Sequence, residues 1–116
     1  MTFFPSITET IGRNPHPIDL PSRLLQDRIV YLSGEITSDI SDVIAMQLLW
    51  LDNDGTNEPI NLYINSPGGS VYAGLAIKDM ISSISCPVNT IGLGMCASMG
   101  AYLLSAGTGI RRALPN

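Results

Sequence analysis

Ser98 stands in the run Gly94-Met95-Cys96-Ala97-Ser98-Met99-Gly100, among residues small enough to leave a hydroxyl clear of its surroundings. A serine between a strand and a helix has two uses. It can cap the helix by accepting from a first-turn amide. It can also stand on a sharp strand-to-helix turn as an acyl-transfer nucleophile. The pattern departs from Gly-x-Ser-x-Gly because Cys96 holds the first glycine position, and spacing alone leaves both uses open. A second segment, Asn65-Ser66-Pro67-Gly68-Gly69-Ser70, also follows a strand. Paired glycines admit backbone conformations closed to other residues. Their amides, with that of Met99, can form an oxyanion hole, and preorganised donors of this kind are worth roughly 3–4 kcal/mol each. The plain alternative is a tight turn that holds no ligand.

Other chemistries find less support. Neither glycine segment is a Gly-x-x-x-x-Gly-Lys-Ser/Thr loop or a Gly-x-Gly-x-x-Gly turn with an acid about 20 residues on, so no nucleotide or other cofactor is expected, and no metal. Cys86 and Cys96 stand ten apart with a single histidine, His16, far upstream. That is neither a zinc set nor a dense disulfide scaffold. Reduced cysteines are the plain reading, with a bridge between the two left open. His16 lies in a proline-rich lead-in, where a surface histidine is expected. The net charge of -4 argues against a nucleic-acid partner, since phosphate binding needs a basic footprint.

Composition points to burial. The chain has 116 residues, enough for one domain, and is 45% hydrophobic but only 14% charged, against about 25% charged in an average domain. Much of its surface is therefore expected to be covered, inside the fold or against other subunits. The longest charge-free run, 80–110, is broken by Pro87 and five glycines. A membrane span needs about 20 mostly apolar residues, so this run reads as a buried core and no membrane is expected. Residues 1–12 lack the basic start and apolar core of a secretory signal, and the expected location is cytoplasmic.

The elements that position the two segments follow from periodicity. Residues 28–32, 60–64 and 88–93 read as strands, with helices near 39–51, 70–83 and 99–106. Thr37, Ser38 or Asp39 is the expected cap of the first helix, whose periodic positions are Val43, Ile44, Gln47, Leu48 and Leu51. Ser70 is the expected cap of the second, with Tyr72, Leu75, Ala76, Met80 and Ile84 on its buried side. Arg111 to Leu114 reads as the opening of a further strand. Pro5, Pro15, Pro17 and Pro21 make residues 1–17 an arm or irregular segment, with the domain body over 18–116. Phe3, Phe4 and Ile7 are candidates to dock on a surface. Alternating strands and helices predict an α/β fold with a parallel sheet and right-handed crossovers. Ligands in such folds sit at the carboxyl ends of the strands, where both glycine segments fall.

Two segments carry a family resemblance. Tyr63-Ile64-Asn65-Ser66-Pro67-Gly68-Gly69 and Gly94-Met95-Cys96-Ala97-Ser98-Met99-Gly100-Ala101 resemble the signatures of the proteolytic subunit of the ATP-dependent Clp protease. Ser22 to Leu25, Arg28 to Leu32, Ala73 to Ile77 and Leu114-Pro115-Asn116 agree with it, so the match runs from about Ile18 to Asn116. The resemblance implies a crotonase-like fold of repeated β-α units, incomplete at the C-terminus. It implies a serine endopeptidase acting on unfolded polypeptides, with Ser98 as nucleophile of a Ser-His-Asp triad and the amides of Gly69 and Met99 as oxyanion hole. It implies assembly into two stacked heptameric rings fed by a hexameric AAA+ Clp ATPase, with Tyr63 on a strand that contributes to the ATPase docking surface.

The chain also departs from that pattern. In the family the catalytic histidine follows Leu-Pro-Asn by several residues and the aspartate comes later, so both are expected outside these 116 residues. The segment Gly107 to Arg112 looks about one residue shorter than in the family. The chain alone is therefore expected to be inactive, and a non-catalytic ring or interaction subunit is the competing reading. Acyl-CoA chemistry on the related crotonase fold is disfavoured by Ser98 at the elbow and by the lack of an acid placed for proton abstraction.

Overall fold

The computed structural model describes residues 6–115, so Phe3 and Phe4 lie outside the described residues. An antiparallel hairpin comes first, β1 (Ser6–Ile11) and β2 (Asn14–Asp19). The prolines predict an arm or irregular segment over 1–17, and its described part is regular and not irregular, paired within a hairpin over residues 6–19. Pro15 faces Thr10 and Pro17 faces Thr8. Their spacing of two puts both missing N–H groups on one edge of a two-stranded ribbon, where no ladder bond is lost. His16 lies between them, exposed and opposite Glu9.

A short helix, α1 (Leu20–Gln26), comes next, where the sequence pattern predicts none. Asp19 caps it by accepting from the Ser22 amide at 2.7 Å, and Pro21 sits in its first turn. Arg23 ties this helix to the hairpin through Glu9 at 2.6 Å.

The main sheet has four parallel strands in the order β3 (Ile29–Ser33), β4 (Ile60–Ser66), β5 (Val88–Cys96), β6 (Arg111–Ala113). Between them run α2 (Ser38–Asp52), α3 (Val71–Ser83) and α4 (Met99–Ser105). This is the α/β fold with a central parallel sheet that alternation of elements predicts. The strands and helices agree with the sequence expectations within a few residues. The widest gap is in β5, which runs on to Cys96 where the pattern ends it at Leu93.

One face of the sheet carries the core. Val30, Leu32, Ile60, Leu62, Ile64 and Val88 meet Ile44, Leu48, Leu51, Ile77, Ile81 and Leu103, all 3% exposed or less. Thr37 is the cap of α2, accepting from the Ile40 amide, and Ser70 caps α3 through the Ala73 amide. Two helix faces differ from expectation. Helix α2 buries Ser41, Ile44, Leu48 and Leu51, and leaves Val43 exposed. Helix α3 buries Ala73, Gly74, Ile77 and Ile81, whereas Tyr72 is 86% exposed. Small residues at 73 and 74 let α3 approach its neighbours closely, so the buried stripe runs through them and not through the bulkier Tyr72. Elsewhere on the sheet Tyr31 stacks on Tyr63, with ring centroids 6.4 Å apart.

Arg28 precedes β3 with a positive φ of 63° and is buried. Its guanidinium donates to Asp54 Oδ2 at 2.6 Å, to the carbonyls of Leu51, Glu58 and Pro59, and to Cys86 Sγ at 3.1 Å. One side chain thus fastens the loop between α2 and β4 to the start of β5. Cys86 and Cys96 are both free. They lie near opposite ends of β5, roughly 30 Å apart at about 3.3 Å per residue. Burial, first, and a hydrogen bond with Asp52 push the Cys86 thiol pKa up.

Asp52 receives the Ser85 hydroxyl at 2.8 Å and the amides of Ser85 and Cys86. The Ser85 and Cys86 bonds hold its carboxyl below the usual range. A depressed folded pKa gives stability that is fully present above the unfolded value and lost as pH falls through the folded one. Urea midpoints of the native chain and Asp52→Asn are expected to differ most near neutrality and to converge as pH drops through the acid range.

Candidate active site

The site is built where β4 and β5 end side by side. Ile64 pairs with Gly92, and the next pair is Ser66 with Cys96. Two steps on β4 therefore oppose four on β5. This bulge lengthens and bends β5 before it enters α4, as bulges beside functional sites commonly do. Gly94, at φ 68°, forms the bend, and Asn65 Oδ1 accepts from the Met95 amide at 3.0 Å. A side chain on residue 94 would run into the Asn65 amide.

Ser98 emerges from that bend exposed, with φ 54° and ψ -123°. Positive φ on a residue with a Cβ is costly, about 1–3 kcal/mol. Ser98 occupies the capping position of α4, yet its hydroxyl makes no capping bond. The backbone closes the turn instead, by Gly100 N–H to Ala97 O at 2.9 Å and Tyr102 N–H to Ser98 O at 3.1 Å. The Met99 amide has no acceptor inside α4, because the first helical N–H groups never do.

The second segment wraps against this turn. A Cβ on Gly68 would lie 2.9 Å from Ser98 Cβ and 3.2 Å from the Met99 nitrogen. Gly69, at φ 154°, forms an isolated parallel bridge with Ile36. The Ile36 amide donates to Gly68 O and the Ser70 amide to Ile36 O, each at 2.9 Å. A trans peptide points its C=O and N–H to opposite sides, and none of the described peptides is cis. With Gly68 O turned toward Ile36, the Gly69 N–H faces the other way. Since Ile36 comes after β3, and β4 lies between β3 and β5, that other way is the β5 side.

The structure therefore brings the Gly68-Gly69 segment, Ser98 and Met99 together at the carboxyl end of the sheet. It does not bring His16 there, since His16 sits on the separate hairpin. Two positioning residues, Ser66 and Ile36, are not evident from the glycine pattern. Ser66 is fully buried, and its hydroxyl accepts from the Gly68 amide at 3.0 Å. A serine two residues ahead of a glycine is a signal for such a turn. Ile36 acts through its backbone, which leaves no mark in the sequence.

No described helix is long and apolar enough to cross a membrane. Compared with known protein families, the chain matches the Clp protease family model over residues 12–116, nearly its whole length.

Proposed function

The chain belongs to the Clp protease family, and on that premise we propose that it is a serine endopeptidase subunit with Ser98 as nucleophile and the Gly69 and Met99 amides as oxyanion hole. The observation that carries this reading is the Ser98 conformation: an exposed, uncommitted hydroxyl on a turn with φ 54°. Attack on a peptide carbonyl transfers the hydroxyl proton to a base and builds negative charge on the carbonyl oxygen. Two amides aimed at that oxygen stabilise it without reorganising. Substrates under this reading are unfolded polypeptides delivered by a hexameric AAA+ Clp ATPase into two stacked heptameric rings. Residues 1–17 serve as an arm on the domain body 18–116, and Tyr63 contributes to ATPase docking.

A second reading is favoured by one observation. The sequence holds a single histidine, and it is exposed on β2. A ring or interaction subunit without its own base fits that fact. A tetrahedral adduct separates site from scaffold, because boron bonds to the serine oxygen as the hydroxyl proton passes to the buffer, and the resulting anionic boronate presents an oxygen to the hole. Phenylboronic acid, followed by mass spectrometry and 11B NMR, is expected to form a tetrahedral adduct that Ser98→Ala abolishes. Equal binding by Ser98→Ala would overturn the nucleophile assignment and favour the scaffold reading.

A further inference from the structure

We infer that Ser66 is a positioning residue that fixes the distance between the two arms of this site, an inference that rests on Ser98 and the Gly69 amide being those arms. Ser66 is the last residue of β4 and is fully buried. Its side chain and its main chain hold different arms. The hydroxyl accepts from the Gly68 amide at 3.0 Å, while the carbonyl accepts from the Ala97 amide at 3.1 Å, directly before Ser98.

The hydroxyl bond matters because of the two glycines it steadies. Gly68 and Gly69 are the residues least able to hold a peptide plane by themselves, since neither has a Cβ to restrict rotation. Two bonds bracket Gly68: Ser66 holds the Pro67–Gly68 peptide through the Gly68 N–H, and Ile36 holds the Gly68–Gly69 peptide through the Gly68 carbonyl. Removing the hydroxyl leaves a buried N–H unpaired, a costly state. The cheapest relief is rotation of the Pro67–Gly68 peptide, and Gly68, with no Cβ to resist it, passes that rotation on to the Gly69 N–H. The loss therefore falls on the site and spares the core. A purely structural hydroxyl would do the reverse.

Ser41 provides the matched control. It is also buried, and its hydroxyl donates to the Ala73 carbonyl at 2.8 Å, a bond between α2 and α3 in which neither glycine loop takes part. Phenylboronic acid affinity and 1H–15N spectra are measured on the 116-residue chain, Ser66→Ala and Ser41→Ala. Ser66→Ala is expected to bind about tenfold more weakly and to shift the Gly69, Ser98 and Met99 amide resonances. Ser41→Ala is expected to keep native affinity and leave those resonances in place. Native affinity in Ser66→Ala, an equal loss in Ser41→Ala, or loss of the fold in Ser66→Ala would each overturn the proposal. If the native chain forms no adduct, the nucleophile reading fails separately. The positioning role is then decided by whether Ser66→Ala alone moves the Ser98 and Met99 resonances.

Discussion

Peptide turnover by the 116-residue chain on its own is expected to fall on the order of 10⁶-fold below that of the same serine served by a base, the loss seen when the base is removed from a serine protease triad. A serine hydroxyl near neutral pH is a weak nucleophile until its proton has somewhere to go. Ser98 has no such partner among the described side chains, and its hydroxyl makes no capping bond. His16 is exposed on a hairpin that forms its own two-stranded sheet. The measurement is hydrolysis of a short fluorogenic peptide by the chain, by His16→Ala, and by the chain with added imidazole. Native and His16→Ala chains are expected to share one low rate. Imidazole, as a diffusible base, is expected to raise both rates, and Ser98→Ala is expected to respond to neither. A rate drop in His16→Ala would make that histidine the base and require the hairpin to fold over the sheet end.

Arg28→Ala is expected to cost about 1–3 kcal/mol of stability, read as a lower urea midpoint, which is the range for leaving buried hydrogen-bond acceptors without their donor. The arginine spans the Leu51, Glu58 and Pro59 carbonyls, the Asp54 carboxylate and the Cys86 sulfur. Truncation leaves acceptors inside the fold with nothing to replace their donor. Arg28→Lys is expected to recover only part of the loss, because an ammonium cannot reproduce the planar fork that reaches both sides of the loop. Full recovery by lysine would mean that charge, and not geometry, is what the loop requires.

The same arginine marks the limit of what is legible in the sequence. Alternation places Ile60, Leu62 and Ile64 on one face of a strand, and that holds because each strand side meets a single environment. Likewise Ser70 declares itself as a cap by residue type, whereas residue type leaves Thr37, Ser38 and Asp39 open and the structure selects Thr37. Arg28 gives no such sign, since its partners are carbonyls 23 to 31 residues away and any residue supplies a carbonyl. The hairpin is obscured for a different reason. Prolines normally argue against strands, but at a spacing of two they can all lie on an outer edge. Helix α1 does leave a signal, Asp19 with Pro21 behind it, though seven residues are too few for periodicity to speak.

Of the site, both glycine segments and Ser98 are evident in the sequence, while the two-residue bulge in β5 is not. A bulge depends on register between strands, and register is a property of pairs. The buried face of α3 is hidden for a related reason: hydrophobicity favours Tyr72, whereas close packing favours Ala73 and Gly74.

The backbone at Ser98 bears on what this serine costs the fold. Its φ and ψ of 54° and -123° match the first central position of a type II′ turn, where glycine is favoured. Glycine there would relieve the strain and, with no capping bond to lose, would forfeit nothing the fold itself uses. Serine at this position thus costs the fold stability and leaves a hydroxyl free in return.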